Sequence, residues 1–412
     1  MKKIITLLLS FTLLVSLVAC GKKTTATDTP KEKVQIKVWH TYTDAQQKYL
    51  DKVIADFNAS HETIEVVAES QPRKDFEAKV MQAVRAKNGP DVIIHFASEA
   101  ANYVADDLVV DFAKYIPDNF ASSIDAGALK EATSFADGGM HVLPLFTSGP
   151  VFFYNTAIYE ELGLNAPTTW EELTENSRKI KEAYPDKYGF AADSLADLGQ
   201  TLFSQNGNTI VDSKEKLANF NTPENADSVA WFAKGVKDGY FMLQPSEQYF
   251  ANDFNANVLV SYIGSVAGSP YLTEGTWTSA PLPQKGTTPW TPAWNRGVIA
   301  FKNGEEKEAA AATFALYLTS ADVNAGFCVA ANYASPYAAT RETQAYKDLI
   351  ATNAPLAALR PDTAGSFPAI AGTSTVREVI QRVLTEVSTD QKSVEQALND
   401  AITEANTALQ DN

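Results

Sequence analysis

Cysteine is nearly absent. Of 412 residues only Cys20 and Cys328 carry a thiol, and the four histidines lie scattered at His40, His61, His95 and His141. Two cysteines, one of them directly after a leader, leave no internal disulfide framework. The histidines lack the short spacing of a ligand set, so neither a metal nor a cofactor is expected. Positive charge is short as well: 34 lysines and arginines face 50 acids, for a net charge of −16. Binding to phosphate backbones or anionic lipid surfaces is driven by Lys and Arg, so nucleic acid is excluded as a partner. No Gly-x-Ser-x-Gly elbow and no Walker loop occurs. Beyond the leader, no apolar run is long enough to cross a bilayer.

What is present begins with that leader. Met1-Lys2-Lys3 is a short positive start, and Ile4 to Val18 is an apolar run too short to span comfortably. Residues 1–19 therefore read as a signal peptide. Leu17-Val18-Ala19-Cys20-Gly21 looks like a lipoprotein processing box, which makes Cys20 the lipidated N-terminus, carrying diacylglyceryl and N-acyl (palmitate) chains. Several acyl chains anchor a protein far more firmly than one. Residues 20–33, rich in Lys, Thr, Asp and Pro, form the tether. The expected location is the outer face of the cell membrane, touched only through the lipid. Lys2 and Lys3 leave with the signal, taking the net charge from −16 to −18. The remainder is long enough for two cores. Cys328, in Gly326-Phe327-Cys328-Val329-Ala330, reads as a small buried hydrophobe.

The early chain alternates strand and helix. Val34, Ile36 and Val38 alternate with polar residues and end at Trp39-His40-Thr41-Tyr42. Thr43 and Gln46 form a capping box ahead of a helix with Leu50, Val53, Ile54 and Phe57 on one face. Thr63 to Ala68 is β-branched, Phe76, Val80 and Val84 mark a second helix, and Asp91 to Phe96 is a buried strand. This order predicts right-handed βαβ units in a mostly parallel sheet. Ligands bind beyond the carboxyl ends of such strands. The candidates there are His40, Tyr42, Ser70, Gln71, Ser98 and Glu99.

Further on, Leu143-Pro144-Leu145-Phe146-Thr147-Ser148-Gly149-Pro150 leads into the apolar strand Val151 to Tyr154, and its prolines and glycine enforce an irregular crossing. Thr169 and Glu172 form a second capping box. Pro289-Trp290-Thr291-Pro292-Ala293-Trp294-Asn295-Arg296 places two indoles among prolines. An exposed indole face suits the apolar face of a pyranose, with Asn295 and Arg296 as planar polar partners. Ser393 and Gln396 cap the last helix.

The run from Leu143 through Leu173 resembles the extracellular solute-binding proteins of ABC importers, family 1, which bind sugars and glycerol phosphate. The resemblance covers nearly the whole mature chain. It implies an α/β, two-lobed, periplasmic-binding-protein-like (type II) fold with a hinge and an interlobe cleft. The lobes it implies are 34–146 with 295–331, and 147–294 with 332–412, joined by crossings near 146–150, 292–296 and 331–334. It also implies a monomer that hands an unaltered ligand to the permease transmembrane subunits, so no enzyme. By the same resemblance Ser148, Ser265, Tyr333 and Arg377 align with ligand-contacting positions, and Gly264-Ser265 opens a helix aimed at ligand.

Departures from the family favour a neutral mono- or oligosaccharide. Phe76 replaces a tyrosine, Ala97 replaces a glutamate, and a tryptophan pair gives way to Asp193-Ser194-Leu195-Ala196-Asp197. Asp193 and Asp197 would accept hydroxyl donors in bidentate fashion. Glycerol 3-phosphate or a related polyol phosphate is the alternative, with Arg377 holding the phosphate. A secreted glycoside hydrolase is the third reading, although no carboxylate pair sits in a recognisable acid–nucleophile motif.

Overall fold

The computed structural model describes residues 33–135, 137–243, 249–286, 288–360, 363–366, 368 and 370–410. The expected signal peptide, Cys20 and nearly all of the tether lie outside the described residues. Nine strands build the two principal sheets: β1 (Val34–His40), β2 (Ile64–Ser70), β3 (Val92–Phe96), β4 (Leu143–Ser148), β5 (Pro150–Asn155), β6 (Ala191–Ala192), β7 (Ser261–Ser265), β8 (Trp277–Ala280) and β9 (Trp294–Ala300). The first sheet runs β2-β1-β3-β9-β4 and the second β8-β5-β7-β6.

The first sheet begins as the alternation predicts. β1 pairs in parallel with β2 and with β3, because helices Asp44–Ser60 and Phe76–Arg85 carry the chain back each time. Leu50, Val53, Ile54 and Phe57 are all buried, each contributing about 1.5–3 kcal/mol through lost apolar exposure. The capping box at this helix does not form. Thr43 is the N-cap residue, but its side chain accepts no amide. At helix Trp170–Ala183 the box does form: Thr169 Oγ1 accepts from Glu172 N, and Glu172 accepts from Thr168 N at 2.7 Å. Ser393 likewise accepts from Gln396 N.

β9 closes the first sheet, antiparallel to both β3 and β4, with a register shift at Arg296/Gly297. A Cβ at Gly297 would lie 2.5 Å from Leu143 O, so only glycine lets these backbones approach. The Ala-rich helix Glu305–Thr319 and the helix Ala321–Ala331 bury Phe314, Leu318, Phe327 and Cys328 in the same core. Burial pushes the Cys328 thiol pKa well up, which keeps it protonated and inert. In the second lobe, β5, β6 and β7 pack with the helices Leu195–Gln205, Pro223–Lys237, Thr373–Ser388 and Val394–Gln410.

The strands exchange sheets at one place. β4 ends at Ser148 and β5 starts at Pro150, so Gly149 alone bridges the two sheets. A Cβ on Gly149 would meet Pro292 O at 2.7 Å, which puts the second crossing directly against the first. Trp294 pairs with Ser148, and Thr147 exchanges backbone bonds of 2.8 and 2.9 Å with Ala334. Ser148 and Trp294 were both expected in the second lobe; both are strand-end residues of the first sheet. The third exchange also differs from the expected 331/332. Tyr337 and Tyr346 still pack in the first core, Leu349 and Ile350 touch both, and Leu356 and Leu359 are in the second.

Candidate functional site

A cleft of about 750 Å³ opens between the lobes at this junction, within the size range of small-molecule sites. Its first-lobe wall is built from the ends of β3, β4 and β9 and the helices beside them. Phe96 ends β3, and Ser98 and Glu99 follow in a single 3-10 turn, Ala97–Glu99. Ser148 ends β4, and Trp294, Asn295 and Arg296 begin β9. The Arg296 guanidinium lies 4.3 Å above the Phe96 ring and 6.0 Å from that of Tyr333. Among the described residues, no carboxylate comes within ion-pair distance of it.

Behind Trp294 sits a buried polar chain. Glu131, on helix Ala126–Ala132, accepts from Asn295 Nδ2 at 2.5 Å, and Asn295 Oδ1 accepts from Thr147 Oγ1 at 2.7 Å. Burial raises the Glu131 carboxyl from 4.5 to about 7, against the bonds from Asn295 and Ser366. Glu99 is raised too, by burial and the neighbouring Glu77.

The second-lobe wall has a different character. Asp193 Oδ1 accepts from Phe250 N at 2.8 Å, and burial raises its carboxyl to about 6. A Cβ on Gly264 would stand 2.6 Å from Asp193 Oδ2, so that glycine leaves space for the carboxylate. Asp197, only 5% exposed, lies 2.7 Å from Arg377 Nη2, while Arg377 Nη1 bonds Gln200 at 3.3 Å. Gly372, Thr373 and Ser374, at the start of helix Thr373–Ser388, complete this face. Gly372 has φ of 89°, and a Cβ there would lie 2.4 Å from Ala408 O. Ser265 opens a short 3-10 turn, Val266–Tyr271, rather than an α-helix; its Oγ accepts from Ala267 N.

Of the residues singled out by sequence, Ser98, Glu99, Ser148, Asp193, Ser265, Trp294, Asn295, Arg296, Tyr333 and Arg377 line the cleft. His40, Tyr42, Ser70 and Gln71 do not. His40 is 1% exposed and its Nδ1 accepts from Tyr42 N; Tyr42, 3% exposed, is part of the first core. Ser70 and Gln71 end β2, the edge strand furthest from the hinge, where Gln71 accepts from Lys79. The rule about strand ends holds for a sheet but does not say which strands face the partner lobe. Trp290, the other indole of its loop, packs against Gly365, where a Cβ would lie 2.1 Å from Nε1. Reasoning from sequence missed Arg73, Phe96, Asn102, Glu131, Gln200, Tyr249 and the 372–374 turn, all on the cleft. Only the last carried a signal, a Gly-Thr-Ser ahead of the apolar stripe from Val376.

Comparison with known proteins agrees with this architecture. The model of the bacterial extracellular solute-binding protein family matches residues 41–325. A Brucella abortus (strain 2308) protein, named only as a binding protein, is 23% identical over 378 residues, 88% of this chain and 90% of its own. The sn-glycerol-3-phosphate-binding periplasmic protein UgpB of Agrobacterium fabrum is 28% identical over 229 residues, 50% of this chain and 51% of its own. Among solved structures, the cyclic α-maltosyl-1,6-maltose binding protein from Arthrobacter globiformis superposes with a TM-score of 0.81 at 21% identity, over 92% of this chain and 100% of that one. The sugar-binding protein MalE from Xanthomonas citri gives 0.81 at 17%, over 92% and 98%. At these identities the likeness speaks for the two-lobed α/β fold. The match over residues 41–325 and the cleft at the lobe junction lead to one conclusion: this chain belongs to the bacterial extracellular solute-binding proteins.

Proposed function

We propose that the chain is the carbohydrate-binding lipoprotein of an ABC importer, held at the outer face of the cell membrane through Cys20. The observation that carries this reading is the first-lobe wall: Trp294 and Tyr333 beside an Arg296 that no carboxylate among the described residues pairs with. Aromatic faces take the apolar face of a sugar ring, and Arg296 and Ser148 offer planar or hydroxyl partners to its rim. The cleft also holds Asp193, Asp197 and Glu99, acceptors for hydroxyl donors. Hinge closure would desolvate these contacts and present both lobes together to the permease; no bond is broken in the ligand. The protein acts as a monomer, and a mono- or oligosaccharide is the cargo.

The test is thermal-shift screening of the purified chain against mono- and oligosaccharides and polyol phosphates. A sugar that raises the melting temperature progressively with the logarithm of its concentration, and is recovered intact, is the expected result. A response to polyol phosphates alone would replace the sugar reading, and a cleaved product would replace the binding reading. The half-length similarity to UgpB keeps the phosphate as the second candidate.

A further inference from the structure

Three arginines reach the cleft: Arg73, Arg296 and Arg377. Of these, only Arg377 has a counter-charge at ion-pair distance among the described residues, and it is built in. Asp197 is fixed by its own helix, since Ser194 caps the Asp197 amide at 3.1 Å, and its carboxylate is nearly closed to solvent. Its 2.7 Å bond to Arg377 Nη2, with Gln200 on Nη1, leaves a pair of zero net charge beside the first turn of helix Thr373–Ser388. Arg377 keeps a side-chain exposure of 36%, so the guanidinium still faces the cleft. A phosphate arriving there would gain attraction from Arg377 and suffer repulsion of similar size from the carboxylate beside it. Asp193, on the same wall, adds to the repulsion.

We infer that Asp197 is a specificity-determining residue that sets the cleft against anionic ligands by spending the charge of Arg377 internally. A neutral polyol loses nothing to such a pair, because dipoles accept and donate to both partners. A monophosphate would have to break the pair or leave Asp197 buried beside a second anion, and both are costly. This inference rests on the carbohydrate reading and sharpens it to neutral sugars.

The experiment is calorimetry on the full chain, wild type and Asp197→Asn, with a neutral oligosaccharide found by the screen and with glycerol 3-phosphate. The amide keeps the shape and can still accept from Arg377, while the charge is lost. Expected for the variant is a gain in glycerol-phosphate affinity of about tenfold or more, shrinking as salt is added. The double variant Asp197→Asn with Arg377→Gln should lose that gain, which separates it from a general loosening of the lobe. No gain in the single variant, with a normal melt, overturns the inference while leaving the sugar reading intact. Should Asp197→Asn melt early, Arg377→Gln alone decides: it leaves the Asp197 charge uncompensated and must weaken any residual phosphate binding, and an increase overturns the inference. Failure of the wild type to bind any neutral sugar would instead sink the reading beneath it.

Discussion

The two walls of the cleft are charged in different ways. On the second wall each charge among the described cleft residues already has a partner: Asp197 holds Arg377, and Asp193 takes the Phe250 amide. On the first lobe Arg296 lies over Phe96 with no carboxylate at ion-pair distance among the described residues, and Glu131 is buried at a cost. A wall whose charges are mutually satisfied gives shape and selectivity, while one whose cation has no counter-charge gains most from a ligand. The contrast assigns affinity to the first lobe and discrimination to the second.

The largest effect expected from breaking this contrast lies at Glu131. Its buried carboxyl holds a proton in the folded state from about 4.5, the unfolded value, up to about 7. The resulting stability is present below the unfolded value and is lost as pH rises through 7. His95 acts in the opposite sense. Burial lowers it from 6.5 to about 4, so its neutral form adds stability as pH rises across that window. Glu131→Gln compared with wild type cancels the His95 contribution. The variant should gain about 3 kcal/mol on the wild type between about pH 4.5 and 8, measured by denaturant unfolding. A pH-independent difference would mean that the carboxyl ionises as easily in the fold as outside it.

Next come the ligand contacts of the first wall. Trp294→Ala removes the indole but keeps the backbone pairing with Ser148, so folding should survive. The affinity for sugar should fall by about 2–3 kcal/mol, roughly 30- to 150-fold, the value of burying a large aromatic face. Unchanged calorimetric affinity would remove Trp294 from the site. Arg296→Met should cost about 1.5–2 kcal/mol, roughly 10- to 30-fold, for hydrogen bonds from a charged donor. Arg296→Lys separates fork from charge: a lysine that restores affinity would mean that the planar, bidentate geometry is not used.

The sequence made the periodic parts of this molecule legible. Strand–helix alternation announced the parallel start of the first sheet, and the Pro-Gly-Pro spacing around Ser148 announced the crossing. Those signals are local. Glu131 was not legible, because a glutamate on a short helix reads as a solvated face. Its buried hydrogen-bond partner, Asn295, lies 164 positions away. His40 and Tyr42 failed for the converse reason: a polar residue at a strand end looks exposed until the sheet order places β1 away from the hinge. The failed cap at Thr43 is of another kind. The residues of a capping box are there, yet Asp44 adopts φ of 49° and the hydroxyl meets no amide.

The smallest effect belongs to the second wall. Ser265 lines the cleft, but its Oγ lone pair already accepts from Ala267 N at 3.2 Å, closing the turn that follows β7. Its hydroxyl hydrogen and second lone pair remain for a ligand, and a neutral hydrogen bond of that kind is worth about 0.5–1 kcal/mol. Ser265→Ala should therefore weaken sugar binding no more than about fivefold, while costing about 1 kcal/mol of stability through the lost cap. Thermal melts and calorimetry on one preparation separate the two readouts. If affinity fell as far as it does for Trp294→Ala, the second wall would not be the quiet partner that its internal bonds make it. The hydroxyl would then be a main anchor, and the division of labour between the lobes would have to be redrawn with Ser265 on the side of affinity.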